Sequence, residues 1–169
     1  LTYKNNFYVA TFGEGLWTYN KGLWLEIDNK LGLFDITITD LFKDINGQFW
    51  IGSNHGLTLF SESEFQMTHF DTIRNSFGML EFDNSIWICS RTGIDKIKKN
   101  KSKHFSLEQG ANFMLNINTN HKNKLQCAGI GGYLYEWNGT DFTVRTDFNK
   151  LLEGQFVYDI ESHNNKTYY

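Results

Sequence analysis

The chain has no proline and only two cysteines in 169 residues. Without proline, its turns fall to Asn, Asp, Gly and Lys. The cysteines, Cys89 and Cys127, form no CxxC pair and have no His at ligand spacing, which argues against a zinc site. No apolar run approaches the ~20 residues that a membrane helix needs. A strong excess of one charge is also missing, with 16 basic residues against 19 acidic and a net charge of −3. Such a balance disfavours a nucleic-acid surface, which needs a basic stripe. The one basic run, 96–103 (KIKKNKSK), sits where a turn should fall and reads as a solvated loop. Helical periodicity is absent too, since no segment sustains it over three turns. Aromatics are plentiful at 17% of residues, and there are 15 glycines.

The aromatics and glycines recur. Residues 44–60 read DINGQFWIGSNHGLTLF, and weaker copies follow at 5–19, 83–97 and 123–137, with a partial one at 165–169. Aligned on Trp50, one column holds Tyr8, Trp50, Trp87, Gln126 and Tyr169, giving a period of about 40 residues. A second column holds Gly15, Gly56, Gly93 and Gly132. Apolar runs precede each motif at 35–42, 76–82, 112–118 and 155–160, and short alternating runs follow at 23–27, 65–70, 104–107 and 142–144. Each period therefore offers four strands, A to D, which is one blade of a β-propeller. Asp44 to Gly47 reads as the A–B turn, with Phe49 and Trp50 on opposite faces of strand B. The expected fold is all-β, with four-stranded antiparallel blades at 1–30, 31–72, 73–109 and 110–150. A further blade starts at 151–169. The chain begins without Met and stops inside a repeat, so it reads as an arc of a larger, seven-bladed ring whose targeting information lies elsewhere. Other blades or neighbouring domains should cover its two end faces.

Asp44-x-Asn46-Gly47-x-Phe49-Trp50-Ile51-Gly52-Ser53-x-x-Gly56-Leu57 resembles the two-component regulator propeller repeat. The third copy keeps Asp83, Ile86-Trp87-Ile88 and Gly93; the first has Tyr8 for Trp and the fourth has Gln126. The resemblance implies the periplasmic sensor region of a Bacteroidetes hybrid histidine kinase, a non-enzymatic propeller that senses oligosaccharides. The same repeat occurs in surface proteins, so a protein-docking scaffold of a type IX secretion complex is the rival. A glycan-cleaving lyase or hydrolase is a third reading. The resemblance also makes a homodimeric parent an option, with no cofactor, nucleic acid or membrane contact for this segment. Residues 71–73 (DTI) look like the periplasmic O-glycosylation sequon of those bacteria.

Strand order puts the D–A and B–C connections at one end, where propeller ligands usually bind. The candidate ligand residues are Phe12, Glu14, Asn54, His55 and Arg91, all on B–C tips. His55 and Arg91 suit sugar hydroxyls or a uronate, and Phe12 offers a stacking face. The plainer alternative is that they are ordinary exposed loop residues. Trp50 and Trp87, at a repeated mid-strand position, are inter-blade core. For an enzyme, Arg74, Arg91 and Arg145 should not converge, and the five histidines should fall at unlike repeat positions. An acid pair across blades, Glu14 with Glu153 for example, leaves a lyase or hydrolase disfavoured but open. Cys89 aligns with Gly52 and Cys127 with Ile51, one register apart, so both should be free, buried thiols.

Overall fold

A computed structural model describes every residue except 62–65, 71, 100, 108–112, 147–151 and 153. Four four-stranded antiparallel sheets follow one another along the chain, each in simple sequential order. The first contains β1 (Thr2–Tyr3), β2 (Asn6–Ala10), β3 (Leu16–Asn20) and β4 (Leu23–Ile27). The second contains β5 (Ile38–Lys43), β6 (Phe49–Ser53), β7 (Gly56–Ser61) and β8 (Gln66–Phe70). The third contains β9 (Gly78–Glu81), β10 (Ile86–Ser90), β11 (Gly93–Lys98) and β12 (Lys101–Phe105). The fourth contains β13 (Met114–Thr119), β14 (Leu125–Gly129), β15 (Leu134–Trp137) and β16 (Phe142–Val144). A two-stranded hairpin, β17 (Glu161–His163) and β18 (Lys166–Tyr168), ends the chain.

The chain forms two compact units, Leu1–Ser76 and Phe77–Tyr169. In the first, Tyr3, Tyr8, Leu16, Ile38, Phe49 and Phe60 share one core. Phe49 lies between the sheets, with its ring centroid 4.8 Å from Tyr8 and 5.1 Å from Tyr3. Trp50, on the other face of β6, is also buried and packs against Phe70 at 5.9 Å. The two faces of strand B thus both carry large side chains, as the motif requires. In the second unit, Trp87, Phe105, Trp137 and Phe142 form an aromatic cluster with centroid separations of 4.9 to 6.0 Å.

The A–B turn is held by Asp44. Its Oδ1 accepts from the Gln48 N–H at 2.8 Å and its Oδ2 from the Trp50 indole N–H at 2.9 Å. Gly47 follows at φ 75°, a conformation in which a side chain is strained. One carboxylate therefore ties the turn to the tryptophan that strand B buries. In the third sheet the Trp87 indole donates to the Phe82 carbonyl instead, at 3.0 Å.

Several expectations need correction. The basic run is only partly a turn: Lys99 stands at an exposed turn, whereas Lys96 lies on β11 and Lys103, itself exposed, on β12. Lys96 Nζ stands 4.5 Å over Trp87, and Lys103 Nζ stands 4.4 Å over Phe105, so the stems cover aromatic core. The expected strand at 155–160 is displaced. Phe156 makes a single bridge to Ile130, Val157 N–H donates to the Gly129 carbonyl, and the strand proper starts at Glu161. Val157 and Ile160 are buried with Ala128 and Leu134, so this segment serves as packing before it serves as a strand. His69 and His104 do share a repeat position. Each sits on a fourth strand opposite Thr58 and Asp95 respectively, bonded at 2.8 and 2.9 Å. Neither cysteine forms a disulfide, and both are buried. Burial pushes the Cys127 thiol well above its usual range.

Candidate functional site

The candidate loops of the first unit come together through the backbone. Phe12 bridges Thr37, the Gly13 and Gly15 N–H groups donate to the Ile36 carbonyl, and the Asn54 N–H donates to the Thr37 carbonyl at 3.3 Å. The B–C tips of the first two sheets therefore flank the same segment, 35–37. A third strand of chain joins them: Asn75 donates through its N–H and its amide to the Asn54 carbonyl at 2.9 and 3.1 Å. Asn75 holds φ 53°, a conformation Asn tolerates better than most residues.

Asp35 is the anchor that sequence reasoning missed. Its Oδ2 accepts from the His55 N–H at 3.0 Å and meets His55 Nδ1 at 2.9 Å, while Oδ1 accepts from the Thr37 N–H at 3.0 Å. Its side chain is buried, whereas the His55 side chain is 72% exposed. Burial alone would raise the Asp35 pKa. The hydrogen bonds from Thr37 and His55 outweigh it and leave the carboxyl below its ordinary value. With Nδ1 committed to the carboxylate, Nε2 is the ring atom left for a ligand. The available signal was Asp35-Ile36-Thr37, an Asp two residues before an N–H it can cap.

Of the five predicted ligand residues, four lie in this unit on adjoining loops. Phe12 is 79% exposed, and Glu14 and His55 are exposed as well. Asn54 is half-buried, with its carbonyl and amide oxygen taken by Asn75. Arg91 belongs to the second unit, where its guanidinium lies 5.7 Å from the Phe113 ring. Arg145 is likewise engaged, donating to Glu136 at 3.0 Å. Glu153, the D–A segments at 108–111 and most of 149–154, and Asp71 of the glycosylation motif lie outside the described residues. Among the described residues, no three His, Cys, Asp or Glu side chains are grouped as metal ligands would be.

A repeated hydroxyl also escaped the sequence reading. Thr11, Ser53 and Ser90 donate to the carbonyls of Gly15, Gly56 and Gly93 at 2.7, 2.9 and 3.1 Å. This lock closes the B–C turns of the first three sheets, on which the candidates stand.

Sequential four-stranded sheets at a period of about 40 residues are propeller blades, and the chain is a fragment of a β-propeller. No family model and no curated protein matches it. It is similar to the extracellular domain of the hybrid two-component system BT4673 from B. thetaiotaomicron, with TM-score 0.75, 16% identity, and coverage of 95% of this chain and 24% of that one. It is similar also to the extracellular domain of BT3049 from the same organism, with TM-score 0.62, 13% identity, and coverage of 94% and 27%. A streptogramin B lyase structure matches with TM-score 0.73, 13% identity, and coverage of 98% and 58%. At these identities the likeness shows the fold. The chain spans about a quarter of each of those two extracellular domains. Among the described residues, no helix is long and apolar enough to cross a membrane.

Proposed function

We propose that the chain is part of a non-enzymatic sensing propeller in a periplasmic or cell-surface two-component sensor, and that its loop end takes an oligosaccharide. The observation that carries this is the Phe12, Glu14, Asn54 and His55 cluster, assembled on the buried Asp35. An exposed ring, an oriented imidazole and a carboxylate on adjoining loops match what a sugar offers, an apolar face and a rim of hydroxyls. The repeat resemblance and the similarity to extracellular sensor domains support the same reading. Arg91, in the second unit, is a separate candidate contact for a uronate. Other blades and neighbouring domains complete the binding surface in the whole protein. Occupancy would act by shifting how propellers or protomers pack.

The test is glycan-array binding by the complete propeller, followed by titration of the Phe12→Ala and His55→Ala variants. Each variant should weaken a positive glycan at least tenfold. Absence of saccharide binding together with firm binding to a surface protein would support the scaffold reading. Glycoside turnover that disappears with a carboxylate would overturn the non-enzymatic one.

A further inference from the structure

Like charges face one another on the outer hairpin of the third sheet. Lys96 on β11 is the direct partner of Lys103 on β12, and Lys98 is the direct partner of Lys101. Residues two apart share a strand face, so the four lysines form a block on one face. Like charges directly opposite one another are destabilising. Among the described residues, none of the four forms an ion pair. Burial is the main cause that lowers the Lys96 pKa, and Lys98 and Lys103 lower it further, against Asp83, which raises it. Two corners of the block are held in place, with Lys96 Nζ 4.5 Å over Trp87 and Lys103 Nζ 4.4 Å over Phe105. Lys98, Lys101 and Lys103 are exposed. β12 is also the edge of its sheet. Lys101, Lys103 and Phe105 bond through their backbone to β11, which turns the N–H and C=O groups of Ser102 and His104 outward. Lysine on an edge strand also discourages unwanted pairing. Edge protection alone does not account for the block, because the outer strands β4, β8 and β16 carry no lysine.

We propose that β12 is a docking strand for an acidic, extended peptide segment of a partner protein, which adds to the third sheet as a fifth strand. Main-chain hydrogen bonds to Ser102 and His104 attach the peptide, and its alternate side chains select it. Peptide residues opposite Lys101 and Lys103 fall in non-hydrogen-bonded pairs, where side chains stand closest. Carboxylates at those alternate positions replace like-charge pairs with opposite-charge ones. The same lysines reject a second β12 strand, which would set lysine against lysine. The chain carries a net charge of −3, so an acidic partner is drawn by this hairpin and not by overall charge. An anionic lipid surface suits the hairpin less well, since no exposed large apolar side chain stands on β11 or β12 to enter a bilayer. The proposal concerns the second unit only and does not depend on the saccharide reading.

The experiment captures the chain on a sensor surface at low salt and passes over it the heptapeptides TETETET and TKTKTKT. The first should bind saturably, with a Kd of about 1 mM or tighter, and the second should not bind. Methylating the backbone nitrogens of the two internal threonines of TETETET keeps its charge and removes the pairing donors. That change should weaken binding by about fivefold or more. A double variant, Lys101→Glu with Lys103→Glu, should lose TETETET and acquire TKTKTKT. Phosphatidylglycerol vesicles passed over the same surface should give no response that depends on these lysines. Absence of TETETET binding, equal binding of the methylated peptide, or unchanged binding in the double variant would each overturn the assignment. A vesicle response that disappears in the double variant would overturn it too, in favour of a membrane. The peptide comparison needs no variant, and circular dichroism establishes that the double variant is folded before its binding is read.

Discussion

At the scale of single residues, Asp44 and Asp35 do related work at opposite ends of the sheets. Asp44 satisfies the Gln48 N–H and the Trp50 indole from within the core. Asp44→Ala strands both donors in a buried turn, so it should cost about 2 kcal/mol in urea unfolding with an unchanged m-value. Asp35 acts through pH. Its folded pKa is lowered, so its contribution to stability is complete above the ordinary value of about 3.9. It disappears as pH falls through the lower folded value, because the unfolded chain then binds the proton more readily. Stability measured between about pH 5 and pH 2 should therefore fall less steeply in Asp35→Asn than in the wild type. An equal slope in both would show that the His55 and Thr37 contacts contribute nothing. Glu136 adds to the same acid dependence. Burial alone would raise its pKa, but bonds from Lys124 at 2.8 Å and Arg145 at 3.0 Å bring it below the ordinary value.

At the scale of elements, the repeat is legible where one residue type answers one geometric need. Gly93 is such a case: it holds φ 145°, and a Cβ there would lie 2.2 Å from the Phe105 carbonyl oxygen. Gly93→Ala should cost several kcal/mol, on the order of 3, by chemical denaturation. The fourth copy of the motif shows the converse. Gln126 occupies the tryptophan column and is fully buried, and its amide donates to Glu136 at 3.2 Å beside Lys124 and Arg145. Restoring the repeat residue with Gln126→Trp should therefore destabilise the protein, by about 1–3 kcal/mol, because it overfills the site and removes a donor from a half-buried carboxylate. A stabilised variant would mean that the polar hub is incidental.

Strand number and order, the A–B turn and the two-faced strand B were readable from spacing alone. The Asp35–His55 contact was not, because it joins residues 20 apart in the chain. Its register also passes through an irregularity between Ile38 and Asp40 in the β5–β6 pairing. The fourth sheet has the matching irregularity between Met114 and Asn116. An extra residue of this kind leaves no mark in an apolar pattern. Lys96 and Lys103 were misread for a different reason. Charge suggested solvent, whereas their methylene stems cover Trp87 and Phe105.

At the scale of the whole molecule, apolar surface stands uncovered on the first blade and on the C-terminal segment. Phe7, Tyr19, Leu23 and Trp24 of the first blade are exposed, as are Phe156, Tyr158 and Tyr168. Surface of that kind marks an interface. The chain by itself should self-associate at micromolar concentration in sedimentation experiments, and a version extended by the neighbouring blades should not. The sensing account is therefore tested on the complete propeller.

The most direct measurement is a titration of the complete propeller with its best array glycan, read through the amide signals of Phe12, Asn54 and His55. The account predicts saturable shifts at those residues and at least a tenfold weaker Kd in His55→Ala. Saturation with those signals unmoved, or an unchanged Kd in His55→Ala, would contradict it.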